Sequence, residues 1–364
     1  MALAPGDKAI RVKLSDGFGA YPCCPVLEVG DRAVRVGVSD GLTAVKASLS
    51  NVIGGYRIPC QVSDVETRAA INLRWNEYWI AKNNPGLSGF RAAGAAIGHM
   101  IYLGGADSTP YDWFSYNVLT DQQGTITDAP FPGRNVAAAV GEYVYAGGAW
   151  TGSDSDGYWY AYDPGTDTWS ELTPIPTPIP GGVAVTVDGL IYSGLGDWGG
   201  WQDVWRRYNP SSDSWESLTP FAGGGRGLAV AAVSGGAIYL GTGSQNGTFA
   251  RAKDWWKYDV ESDTWEQRSD YPGGSNGVTG AVAASVSGRV YVGTGTWNGN
   301  FFADWWCYNP REDAWEEKTS APWSPAGTYE GVAVTSRGKI HVFHGYARGE
   351  HYVYDPAGVP WGIA

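Results

Sequence analysis

From about Phe90 onward, apolar positions recur in short blocks and leave no helical stripe. Each block opens with a run of small residues, such as VAVTV (183–187), AVAASV (281–286) or VAVTS (332–336). A larger apolar run follows and ends in glycine: MIYLGGA (100–106), YVYAGGA (143–149), LIYSGLG (190–196), AIYLGTG (237–243) and RVYVGTG (289–295). In the last copy, KIHVFHG (339–345), His344 reads as the replacement of the first glycine. Short apolar runs bounded by Gly, Asp and Asn predict strands joined by tight turns.

After each pair of runs comes tyrosine, six residues, then tryptophan. The copies are Tyr162 with Trp169, Tyr208 with Trp215, Tyr258 with Trp265, Tyr308 with Trp315 and Tyr354 with Trp361. Successive tryptophans are 46 or 50 residues apart, and a degenerate copy at Tyr116 has Gln123 in the tryptophan place. A repeat of this length is one supersecondary unit that cannot bury both its faces alone. Each reads as four strands: a (small), b (ending in glycine), c (with the tyrosine) and d (with the tryptophan).

The glycine pair, the Tyr-x6-Trp spacing and the period near 50 residues resemble the kelch family over about three-quarters of the chain. The resemblance implies an all-β fold, a six-bladed kelch-type β-propeller with a small N-terminal β-rich module. The chain departs from the pattern where three glycine pairs become Gly-x-Gly and where blade one lacks its tryptophan. Strand a crowds the axis and must be small, while the outer strands fill wedges and carry Trp and Tyr.

Ring closure calls for a strand from the other terminus. Trp79 precedes Gly104 by 25 residues, as Trp169 precedes Gly194, so Glu77–Lys82 is expected to be a d strand paired with residues 350–356. The domains expected are 1–70, a β-rich attachment module; 71–89, a linker and closing strand; and 90–364, the propeller. Within the module AIRVKL, PVLEV, RAVRVGV and TAVKASL read as strands, and SDVETRAAINLRW (63–75) as a short helix capped by Ser63 or Asp64.

Composition narrows the function. Net charge is −12; residues 1–88 hold ten Lys/Arg and eight Asp/Glu, leaving fifteen against twenty-nine in the remainder. Such an acidic body disfavours nucleic acid. No apolar run reaches a membrane span, and MALAPGDKAIRVKL lacks a signal-peptide core, so synthesis in the cytoplasm without membrane insertion is expected. Cys23, Cys24, Cys60 and Cys307 form no metal or disulfide framework and are expected to be reduced.

Strand parity puts the a–b and c–d turns on one rim and the b–c loops with the d–a links on the other. The b–c loops vary most, which is where binding residues concentrate on a regular scaffold. They carry Tyr111, Trp150, Trp198, Trp201, Phe249, Trp297, Phe301 and Phe302, with Asn246, Asn298 and Asn300 alongside. Aromatics among amides suit stacking on sugar rings or anchoring a protein; packing across neighbouring blades is the competing role. The repeat tryptophans are expected in the core.

Catalytic signals are sparse. His341, His344 and His351 lie near Glu350, but 341 and 344 fall on opposite faces of a strand. Asp154 and Asp156 resemble the opening of a calcium loop without its downstream glutamate. No cofactor, metal or catalytic residue is expected. Among kelch enzymes, the galactose-oxidase type requires a copper set that Cys307 and these histidines do not reproduce, and the sialic-acid epimerases would begin with a signal peptide. The organisation is similar to bacteriophage tail, baseplate or decoration proteins. That similarity implies a structural or binding role on a virion, with residues 1–70 contacting other virion proteins and the aromatic loops a glycan or receptor. A sugar-active, epimerase-like enzyme at the axis is the alternative, with Arg91, Arg134, Arg226 and Glu330 before their a strands as candidates. An intracellular kelch adaptor is the second alternative.

Overall fold

The computed structural model describes residues 33–36, 45–48, 57–59, 70–72, 76–82 and 92–359, apart from 107–108, 134–135, 149–156, 198, 246–249, 275–276, 298, 323–328, 344 and 346–349. Every repeat is an antiparallel four-stranded meander in the order a, b, c, d. Blade two consists of Val136–Val140, Tyr143–Gly147, Trp159–Asp163 and Thr168–Glu171. In blade six, strands Val332–Ser336, Lys339–Phe343 and His351–Val359 are joined by Asn76–Lys82 as the fourth strand. The a strands Ala93–Ile97, Val136–Val140, Val183–Val187, Val230–Ser234, Val282–Val286 and Val332–Ser336 each neighbour the next, and the sixth neighbours the first. That closed order makes a six-bladed β-propeller.

Small side chains make the axis possible. Alternate residues of an a strand pack against the two neighbouring blades: Val136 and Ala138 join the cluster shared with blade three, while Ala137 and Ala139 lie against the cluster shared with blade one. Hydroxyls tie neighbouring blades at this level: Thr186 Oγ1 donates to the Ala139 carbonyl at 2.9 Å and Thr335 Oγ1 to that of Ser285 at 2.8 Å. Ser336 Oγ donates to the Gly98 carbonyl at 2.9 Å, which joins the last blade to the first.

The first glycine of each pair is a matter of space. A Cβ on Gly241 would stand 2.3 Å from the Asp254 carbonyl oxygen, and one on Gly293 2.2 Å from that of Asp304. The tryptophan at that level of strand c lies against the glycine, and Trp113, Trp159, Trp205, Trp255 and Trp305 are fully buried. Blade six differs: Val332 pairs with Phe343, so Phe343, and not His344, occupies the first glycine's place. His351 replaces the tryptophan there, and Phe343 stacks on it at 4.1 Å. Exchanging an indole for an imidazole frees the room that a phenyl ring then fills. His344 lies outside the described residues.

The Tyr-x6-Trp spacing is a cross-strand pair: Tyr162 faces Trp169, and the rings of the four central copies lie 4.7 to 5.0 Å apart. Tyr354 finds its tryptophan elsewhere, in Trp79 at 5.0 Å; Trp361 lies outside the described residues. Each d-strand indole also donates to the link entering its own blade from the preceding one, as Trp265 Nε1 does to the Thr219 carbonyl at 3.1 Å.

Two compact units divide the chain: Trp79–Tyr354, and residues 1–78 with 355–364. The second unit contains the hairpins Ala33–Val36 with Val45–Ser48 and Arg57–Pro59 with Ala70–Asn72. The helix expected over 63–75 is corrected at Ala70–Asn72, which is a strand with Ile71 opposite Ile58, while 63–69 and 73–75 lie outside the described residues. Pairing with a nearby strand overrides the helical propensity of a short alanine-containing segment. AIRVKL, PVLEV, Cys23, Cys24 and Cys60 lie outside the described residues; Cys307 is a buried free thiol.

Candidate functional site

Antiparallel order puts every b–c loop and d–a link on one rim. Among the described residues, the links of blades three to six are chained to one another by backbone hydrogen bonds. Two residues before their a strands, Gly181, Leu228, Gly280 and Glu330 all have left-handed backbone, with φ of 68°, 55°, 61° and 54°. The amide of each donates to the carbonyl of the one before: Leu228 to Gly181 at 2.7 Å, Gly280 to Leu228 at 3.0 Å and Glu330 to Gly280 at 2.6 Å. Arg91 and Arg134 hold the same sequence position in blades one and two and lie outside the described residues.

Arg226 does not belong with them, a correction to the sequence reading. It is four residues before its strand and fully buried. Its guanidinium makes a bidentate pair with Asp254 at 2.7 and 2.8 Å and donates to the carbonyls of Gly223 and Thr242, above the Phe221 ring at 4.6 Å. A cation so fully paired locks two blade elements together and has no donor left for a ligand. In blade five, Asp304 takes the place of Asp254 and accepts from Trp306 Nε1 at 3.0 Å and Tyr271 OH at 3.3 Å. Burial pushes its carboxyl above the usual carboxylate range.

Several b–c loops are built as small hairpins. Ser244–Gln245 pairs with Ala250–Arg251 and with Arg226–Gly227 of the incoming link. Thr296–Trp297 pairs with Asn300–Phe301. Among the loop aromatics, Tyr111 is 49% exposed. Trp201 is half-buried with its ring over Gly227, where a Cβ would come within 2.6 Å of it. Trp297 is half-buried on its hairpin, next to exposed Asn300. Phe301 stacks on Tyr329 at 5.4 Å, and Phe302 packs on the core between blades four and five. Trp297 and Phe301 thus share one hairpin, while Tyr111 stands on blade one and Trp201 on blade three. Trp150, Trp198, Phe249, Asn246, Asn298, Asp154 and Asp156 lie outside the described residues.

Two of the histidines that the sequence groups near Glu350 form a buried polar pair. His341 Nδ1 lies 3.1 Å from His351 Nε2, and the Tyr116 ring meets His351 edge-on at 4.8 Å. This is the junction of blades six and one, where both partners of the usual tryptophan pair are replaced, by His351 and Gln123. Burial, then the facing His351, pushes the His341 pKa down to about 3. Among the described residues, no three His, Cys, Asp or Glu side chains are grouped to hold a metal ion.

Known proteins add the fold and nothing finer. No family model matches the chain, and no curated protein matches its sequence. Among solved structures, one titled "Structure of YjhT" is similar with a TM-score of 0.62 and 15% identity, covering 75% of this chain and 95% of that one. The class is thus an all-β, six-bladed propeller.

Proposed function

We propose that the chain is a non-enzymatic binding protein whose kelch-type propeller offers its b–c rim to a glycan or protein partner. Residues 1–70 attach it to a larger assembly of the bacteriophage virion kind. One contrast carries the reading. The six a strands, AGAAI, VAAAV, VAVTV, VAAVS, VAASV and VAVTS, carry no ionisable side chain, so they offer the channel no acid, base or nucleophile stronger than a hydroxyl. The b–c rim instead holds exposed Tyr111 and half-buried Trp201 and Trp297. Aromatic faces beside amides such as Asn300 match the alternating apolar and hydroxyl surfaces of sugars. The virion assignment rests on the organisation of the chain, a small leading module followed by a large binding domain.

A glycan array probed with the full chain tests the rim. Binding is expected, and Trp297→Ala or Trp201→Ala should weaken it about tenfold while the melting temperature stays within a few degrees. Turnover of a sugar by the full chain would overturn the non-enzymatic reading. Immunodetection of the chain in purified particles tests the virion assignment, and its presence only in the soluble lysate would sink that part.

A further inference from the structure

The rim opposite the b–c loops carries a cavity of about 770 Å³ between blades four and five. Two local substitutions in the repeat create it. The a–b turn of every other blade contains one side chain besides glycine: His99, Glu142, Asp188, Ser287 or Arg337. Blade four has Gly235–Gly236, both with left-handed backbone and with nothing within 4 Å of where a Cβ would stand. Strand b then starts with a large residue in the other blades, namely Met100, Tyr143, Leu190, Arg289 or Lys339, whereas blade four has Ala237. Only blade four lacks both side chains, and the space they leave is open.

The walls are charged in a particular way. Arg289 and Arg311 line the blade-five side. Their guanidinia make no ion pair and no hydrogen bond among the described residues; their backbones are engaged, Arg289 opposite Val286 in the sheet and the Arg311 amide donating to Asn309 Oδ1 at 3.2 Å. Lys257 is already held 3.6 Å from Asp259. Carboxylates of Asp188, Glu261 and Glu312 line the same cavity. Two free guanidinia match a carboxylate, which they bind in a bidentate fashion. The surrounding carboxylates repel polyanions such as phosphate and accept an ammonium group. The volume lies in the range of small-molecule sites.

We propose that this cavity is a second binding site, distinct from the b–c rim, for a small zwitterion of the amino-acid or short-peptide class. The ligand carboxylate sits on Arg289 and Arg311 and its ammonium on the facing carboxylates. The site requires nothing of the b–c rim, so its fate and that of the glycan-binding reading are separable.

Calorimetric titration of the full chain with the dipeptide glycyl-glutamate tests it. Binding in the millimolar range or tighter is expected, weakened at least tenfold by acetylating the amine or amidating the carboxylates. Ala237→Met, which restores the residue of blade one, should abolish binding. Arg289→Gln, on an exposed side chain, should weaken binding roughly tenfold and keeps the test intact if the core change impairs folding. No heat of binding at millimolar dipeptide, equal affinity for the capped peptides, or affinity unchanged in both variants would each overturn the proposal.

Discussion

The indole of Trp79 meets that of Trp305 edge-on, with centroids 5.1 Å apart and planes at 68°. The same contact joins Trp113 to Trp169, Trp159 to Trp215, Trp205 to Trp265 and Trp255 to Trp315. Each pairs the c strand of one blade with the d strand of the next. Trp79 therefore supplies from near the start of the chain the rung that joins blade five to blade six. Its Nε1 donates to the Thr319 carbonyl at 2.9 Å, as every other d-strand tryptophan donates to the incoming link.

Trp79→Ala should destabilise the propeller by about 3 kcal/mol, the usual range for deleting a large packed aromatic. Trp265→Ala should cost a similar amount, yet the two should differ in where the structure opens. Loss of Trp79 frees the strand that closes the ring, so amide exchange should accelerate first in His351–Tyr354 and Trp79–Lys82. Hydrogen-exchange mass spectrometry on both variants reads this; equal protection of those segments would contradict the closure role.

Much of this order was legible because the repeat spacings are geometric. Six residues separate Tyr208 from Trp215 because the two are cross-strand partners around one tight turn, and that turn is nearly invariant. The 25-residue offset from Trp79 to Gly104 followed from the same geometry. Blade six was misread at one position because Gly345 invites an alignment that strand pairing does not follow; Val332 opposite Phe343 decides it. Arg226 looked like a rim residue because its distance from strand a is close to that of Arg134. Its place is set by Asp254, 28 residues later, which no local pattern records. The cavity at Gly235, Gly236 and Ala237 emerges only when the six a–b turns are superposed, since glycine in a turn is ordinary by itself. At Ala70–Asn72 the expected helix gives way to a strand because its partner, Arg57–Pro59, lies outside the window that sets helical propensity.

The His341–His351 junction predicts acid sensitivity. An unfolded histidine titrates near 6.5, whereas His341 in the folded protein is pushed down to about 3 by burial, by His351 and by Lys82 and Lys339. The folded state thus binds fewer protons between these values. Stability from this site is complete above pH 6.5 and declines as the pH falls toward 3, by up to about 1.4 kcal/mol per pH unit. The carboxylate of Asp121 opposes the trend, and the Tyr116 ring and hydroxyl remain neutral throughout. Urea midpoints measured from pH 7.5 to 4 should fall for the native chain and fall less for His341→Gln. Parallel curves would show that another group carries the effect.

Two kinds of glycine should respond differently to alanine. Gly293→Ala places a methyl 2.2 Å from the Asp304 carbonyl and 2.4 Å from the Trp305 ring, so strands b and c must separate. A cost of about 3 kcal/mol is expected. Gly98→Ala meets nothing within 4 Å and is strained only by its φ of 59°, so about 1 kcal/mol is expected. Chemical denaturation of the two variants separates close approach from backbone conformation, and similar costs would refute the distinction.

The clasp between blades rests on an aspartate in each c–d turn. Asp263 adopts a left-handed backbone, with φ of 53°. Its carboxylate accepts from Tyr258 OH at 2.6 Å within the turn, and from the Thr219 amide at 3.0 Å and hydroxyl at 3.0 Å on the incoming link. Burial works to raise its pKa, but the tyrosine hydroxyl and the Thr219 donors outweigh it and hold the carboxyl below its usual 3.8. A lowered carboxyl pKa stabilises the fold above the unfolded value, and that contribution is lost as the pH falls through the folded one. Asp263→Asn should therefore cost about 1–2 kcal/mol at pH 7, a modest figure because the group is partly solvated. Tyr258→Phe should cost about 1 kcal/mol. The double variant should cost less than the sum, since each change removes the same hydrogen bond. Repeating the measurement below pH 3.8 separates charge from shape. If the carboxylate charge carries the clasp, the gap between the native chain and Asp263→Asn narrows from pH 3.8 downward and closes once the pH is below the lowered folded-state value. A gap that stays constant with pH would mean that turn geometry alone holds the blades together.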